Sequence, residues 1–119
     1  MADDDALVEA LGALSEALEK TERARGHLYE FHQLTGSADG SLDAVMDGLR
    51  KAGHAEAADR LQRELVGLDV LEGRWTYQVI EEYDDGYYAT FKRLERELRD
   101  ELGVPRHEHE RRMKRDRQS

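Results

Sequence analysis

The chain has no cysteine, a single proline and, outside one short stretch, hardly any aromatic residue. Without cysteine there is no disulfide, no thiol nucleophile and no cysteine-ligated zinc or iron–sulfur site. No segment approaches the ~20 consecutive apolar residues of a membrane span. The start, Met-Ala-Asp-Asp-Asp, has neither the basic region nor the apolar region of a secretory signal. G-x-S-x-G elbows, phosphate loops and nucleophile–base–acid arrangements are missing as well. The expectation from these absences is a cytoplasmic protein with no membrane contact, no catalytic set and no cofactor.

Charge and leucine take up the space. Charged residues make up 38% of the 119 positions and hydrophobic ones 39%, which is too apolar and too periodic for a disordered chain. The net charge of −9 is uneven: the chain through Pro105 carries −12 and Arg106–Ser119 carries +3. An acidic body repels nucleic acid and anionic lipid, so only the basic end has the sign to contact either. That end can equally fold back on its own acidic body.

Leu7, Leu11, Leu14, Leu18, Thr21, Arg25, Leu28 and His32 recur at alternating steps of four and three, a heptad seam. Asp3 to Asp5 supply a helix cap and negative charge in the first turn. The seam predicts a first helix over about 4–35, ended by a Gly36–Gly40 loop. Ser41 then caps a short helix closed by Gly53, and a third short helix runs from His54 to about Val66. A brief strand at Trp75–Ile80 is conceivable but has no partner strand.

From Thr76, the residues Ile80, Tyr83, Tyr87, Phe91, Leu94, Leu98 and Leu102 mark one face of a helix over 76–102. Gly86 is its expected kink, and Gly103 with Pro105 ends it. The predicted architecture is an all-α antiparallel bundle over 1–105, with two long helices and two short ones between them. A basic, flexible tail over 106–119 completes the chain. A first helix about 48 Å long would overhang a body roughly 35 Å across. Its Leu7–Leu18 seam would then stay wet unless another chain covered it, which predicts a homodimer acting through protein association.

The aromatic residues are concentrated in Gly73–Tyr88, which holds the only Trp, four of the five Tyr and four carboxylates. Rings beside clustered carboxylates need both burial and polar partners. On a helical wheel Tyr77, Glu81, Asp84 and Tyr88 share a strip beside the apolar face, while Glu82 and Asp85 point to solvent. Arg25 and His32 occupy seam positions that leucine would otherwise fill. In an up-down arrangement Arg25 lies level with Asp84. Arg25, His32, Tyr77, Glu81, Asp84 and Tyr88 are therefore the candidate ligand-binding residues. The alternative role for the same cluster is a buried polar network that fixes helix register.

The rival function is a small-molecule or divalent-metal-binding enzyme. Glu81-x-x-Asp84, Glu82-x-x-Asp85 and the Glu16, Glu19, Glu22 series each set carboxylates one helical turn apart. This spacing is similar to that of the all-α nucleotide pyrophosphohydrolases of the MazG kind. The chain departs from them in lacking the doubled first motif and in separating Glu22 from Glu82 by about 60 residues. No histidine has a glutamate three residues before it, as carboxylate di-iron bundles require. His27 and His32 share no face, and His107 and His109 sit in the tail, so no metal ligand set emerges.

The segment G-R-W-T-Y-Q-V-I-E-E-Y-D-D-G-Y-Y, taken with the earlier R-G-H-L-Y-E-F-H-Q-L-T-G, resembles a small uncharacterised helical protein family of high-GC Gram-positive bacteria. The resemblance spans Leu7 to about Leu102. No activity is attached to that family, so it implies a shared fold and nothing about function.

Overall fold

The computed structural model describes residues 2–119, with side chains from residue 4 onward. In chain order the elements are α1 (Ala2–Lys51), α2 (Ala55–Glu64), α3 (Thr76–Tyr83), a π-helical turn (Asp84–Tyr88), α4 (Ala89–Leu102) and α5 (Glu108–Gln118). The protein is all-α. Among the described residues there is no strand: Thr76–Ile80 lies within α3, and Leu71 and Arg74 form only an isolated bridge. Two compact units are present, one comprising the chain up to Arg25 with Tyr83–Ser119, the other Gly26–Glu82.

The first helix corrects the sequence reading. It runs unbroken for 50 residues, with no loop at Gly36–Gly40 and no new start at Ser41. Ser41 does not cap; its hydroxyl donates to the Ser37 carbonyl one turn back, 2.9 Å away. Glycine costs a helix about 1 kcal/mol relative to alanine, and the seam outweighs it. The heptad step continues through Thr35, Asp39, Leu42, Met46 and Leu49, all buried or half-buried. Asp4 and Asp5 already lie in the first turn, so they do not cap it; the side chain of Asp3 lies outside the described residues. The helix ends before Gly53, the residue expected to close a second, short helix. Gly53 takes φ 87°, and the His54 N–H donates to the Leu49 carbonyl at 2.8 Å, a Schellman closure.

In the first unit Val8 and Leu11 pack with Val104, and Leu7 and Leu14 lie against them half-buried. Val104 reaches this position because Gly103 adopts φ 69° and ends α4, the Val104 N–H donating to the Arg99 carbonyl. Each such side chain contributes ~1.5–3 kcal/mol by leaving water. The Leu7–Leu18 seam is thus covered by the chain itself at Leu11, and the expectation that it stays wet fails. The basic end Arg106–Ser119 carries α5, whose Arg112 meets Asp5 at 3.0 Å. His109 approaches so closely that a Cβ on Gly12 would stand 3.0 Å from its own Cβ.

In the second unit Met46, Ala58 and Ile80 are the buried hydrophobic side chains. Thr76 is fully buried, its hydroxyl 2.6 Å from His32 Nδ1. The head of α3 is fixed by Gln78, whose side-chain carbonyl accepts the Trp75 N–H at 2.7 Å, one half of a capping box.

Candidate functional site

The last helical segment is α-helical on both sides of Asp84–Tyr88 and π-helical within it. A π turn holds one residue more than the α turn it replaces, so the residues beyond it are displaced by about 100° from an unbroken α count. The unbroken count places Tyr87, Leu94 and Leu98 inward. In the structure Tyr88 and Glu95 are buried instead, and Tyr87, Leu94, Leu98 and Leu102 are exposed. This corrects the predicted apolar face by one residue. The expected irregularity at Gly86 is real, but it is a widened turn.

The π turn carries a polar cluster. Arg25 holds Asp84 through both ends of its fork, Nε at 2.6 Å from Oδ1 and Nη2 at 3.0 Å from Oδ2. Planar, bidentate pairing of this kind is the strongest form of the Arg–carboxylate contact. The Tyr88 hydroxyl donates to Glu22 Oε1, and the Arg25 guanidinium lies over the Tyr88 ring, 4.5 Å from its centroid. Lys92 Nζ stands 5.2 Å from the same centroid, and Tyr83 stacks near-parallel on Tyr88 at 6.4 Å. Arg25 also reaches Glu22 at 3.8 Å. The expected contact between Arg25 and Asp84, rather than Glu81, is present.

The electrostatics derive from these partners. The hydrogen bonds from Arg25 hold the Asp84 carboxyl below its ordinary range, against a smaller opposing effect of burial. Burial, with the acceptor Glu22 beside it, pushes the Tyr88 hydroxyl upward. A tyrosine moved in that direction is a weaker acid, so even less of it is ionised at neutral pH to act as a base or nucleophile. Asp84 is likewise committed to Arg25.

The other candidate residues belong to the second unit. His32 is engaged with Thr76, Tyr77 is half-exposed, and Glu81 is exposed. Glu82 pairs with Arg74 at 2.7 Å. Within the first unit Arg25, Asp84 and Tyr88 come together, with Glu22 as a fourth member. Glu22 was legible only as a member of the Glu16, Glu19, Glu22 carboxylate series, although its place three residues before Arg25 puts both on one side of α1.

Sequence reasoning missed a second polar contact altogether. Glu95, 5% exposed, accepts the Ser15 hydroxyl at 2.9 Å and a forked contact from Arg99. Burial pushes its carboxyl up, but Arg99 and Ser15 together outweigh that and hold it low. Glu95 and Arg99 stand four residues apart and so share one side of α4.

An open cavity of about 300 Å³ beside the cluster is lined by Arg25, Asp84, Tyr88, Ala89, Lys92, Arg93 and Arg96. Four cations against one carboxylate make it unsuited to a metal ion. Among the described residues no group of three His, Cys, Asp or Glu side chains is placed to hold one. Compared with protein-family models, curated proteins and solved structures, the chain matches none.

Proposed function

We propose that this protein is a homodimeric antiparallel helical bundle of the cytoplasm that acts by association and performs no chemistry of its own. The antiparallel reading rests on the order of contacts in the first unit. Leu11–Val104, Ser15–Glu95, Glu22–Tyr88 and Arg25–Asp84 step up α1 as they step down toward α3. The saturated cluster at the π turn serves as the register device: every polar group in it is partnered, and none is poised to react.

The observation that carries the dimer is the outer stripe of α4. Leu94, Leu98 and Leu102, with Tyr87 in the π turn before them, are exposed, while the inward positions hold Glu95 and Arg99. Among the described residues seven hydrophobic side chains are buried and thirteen large ones are exposed. Too little apolar surface is removed from water for a chain this short to be stable by its core alone. A partner needed for stability must be present whenever the chain is, and a second copy meets that condition by construction. A two-fold axis through α4 would set each leucine stripe against its own image.

The cysteine-free sequence offers a clean test. Leu98→Cys would carry the only thiol in the chain. Under mild oxidation it is expected to give a disulfide-linked dimer in high yield, whereas Lys114→Cys on α5 is not. Equal, slow cross-linking at both positions would contradict the reading.

A further inference from the structure

The second unit holds a cavity that the dimer reading does not use. It has a volume of about 300 Å³ and lies between α1, which supplies Thr35, Ala38, Asp39 and Leu42, and the turn before α3, which supplies Leu65, Leu68, Asp69, Val70 and Trp75. That size falls at the lower end of small-molecule sites. Its walls are aliphatic apart from the indole, Thr35 and two carboxylates.

The charge in it is one-sided. No arginine, lysine or histidine lines the cavity, while Asp39 and Asp69 both do. Asp39 is held in place by the Gly67 N–H, which donates to its Oδ1 at 3.0 Å. The Trp75 backbone is anchored, its N–H donating to Gln78 Oε1 at 2.7 Å. Carboxylates facing an apolar space favour an occupant that brings positive charge. An indole face adds cation–π attraction, for which tryptophan is the best of the aromatic side chains.

We infer that this cavity binds a small organic cation with an apolar body, an amine or quaternary ammonium. Its hydrocarbon part would lie against Ala38, Leu42, Leu65 and Val70, and its charged head between Asp39, Asp69 and the ring of Trp75. The four-cation cavity at Arg25 has the opposite sign and would reject the same ligand.

Trp75 is the only tryptophan of the chain, so the indole emission of the whole protein reports on this cavity. The probes are 4-phenylbutylamine, charged at neutral pH, 4-phenylbutan-1-ol, its neutral counterpart, and 4-phenylbutyrate, its anionic one. The full-length protein is expected to give a saturable change in emission with the amine. The amine should bind about tenfold tighter than the alcohol, with the carboxylate weakest. Asp69 is exposed, so Asp69→Asn should fold normally, and it should bring the amine close to the alcohol while leaving the alcohol unchanged. Equal affinities for amine and alcohol would overturn the proposal, as would an amine affinity indifferent to Asp69→Asn. No saturable change at millimolar amine would overturn it as well.

Discussion

Glu95 is buried while its neighbour Leu94 is 44% exposed. On a helix that closes a small core the reverse is expected, because a carboxylate is costly to desolvate and a leucine gains by burial. The π turn at Asp84–Tyr88 produces the exchange by advancing the helix one residue. Ser15 and Arg99 make it tolerable by satisfying the carboxylate. What remains is a leucine stripe facing outward, and the proposed dimer rests on it.

The Arg25–Asp84 pair is about three-quarters buried on both sides, with side chains 24% and 27% exposed. It therefore falls between exposed pairs, worth ~0–1 kcal/mol, and buried ones, whose disruption costs ~3–5 kcal/mol. Arg25→Met and Asp84→Leu are each expected to destabilise by about 2 kcal/mol in urea denaturation. The double substitution should recover more than half of the summed loss. Three nearly neutral variants would show that the pair does not set register.

Two glycines in helical segments should respond oppositely to alanine. At Gly86 nothing lies within 4 Å of an added Cβ, so Gly86→Ala should raise stability by roughly 0.5–1 kcal/mol through the unfolded chain. At Gly12 the added Cβ meets His109 at 3.0 Å. Gly12→Ala should therefore loosen α5, seen as faster amide exchange across Glu108–Gln118 with little change elsewhere.

The carboxyls of Asp84 and Glu95 are both held below their ordinary values of 3.8 and 4.5. A lowered pKa means that the folded state binds the proton less tightly than the unfolded one. The stability they contribute is complete above those ordinary values and is lost as pH falls through the lowered ones. Tyr88 has the opposite sign. Its hydroxyl is raised above 10.0, so its contribution holds below that value and fades as the solution becomes more alkaline. Acid titrations of stability for Asp84→Asn and Glu95→Gln should each show a shallower loss between pH 5 and 2 than the unaltered chain, approximately in line with one fewer linked proton.

Much of this was legible from residue spacing. The seam from Leu11 to His32 named the inner side of α1, and placing Arg25 level with Asp84 gave their contact. Gly53 and Gly103 marked helix ends because only they accept the left-handed turn there. Two things were not legible. Gly36 and Gly40 have the local propensity of a loop, but the half-buried polar residues Thr35 and Asp39 carry the heptad across them. The π turn left no mark in composition beyond Gly86, and a one-residue phase shift is invisible to a count that assumes a constant period. Glu95 was missed for that reason, and the leucine stripe was turned inward.

Sedimentation equilibrium of the unaltered chain, beside Leu94→Ser with Leu98→Ser, tests the central claim most directly. The proposed dimer predicts a mass of two chains at micromolar concentration, with a melting temperature that rises with protein concentration. The doubly substituted chain should sediment as a monomer or unfold. A folded, monomeric wild-type chain at high micromolar concentration, with a melting temperature independent of concentration, would contradict it.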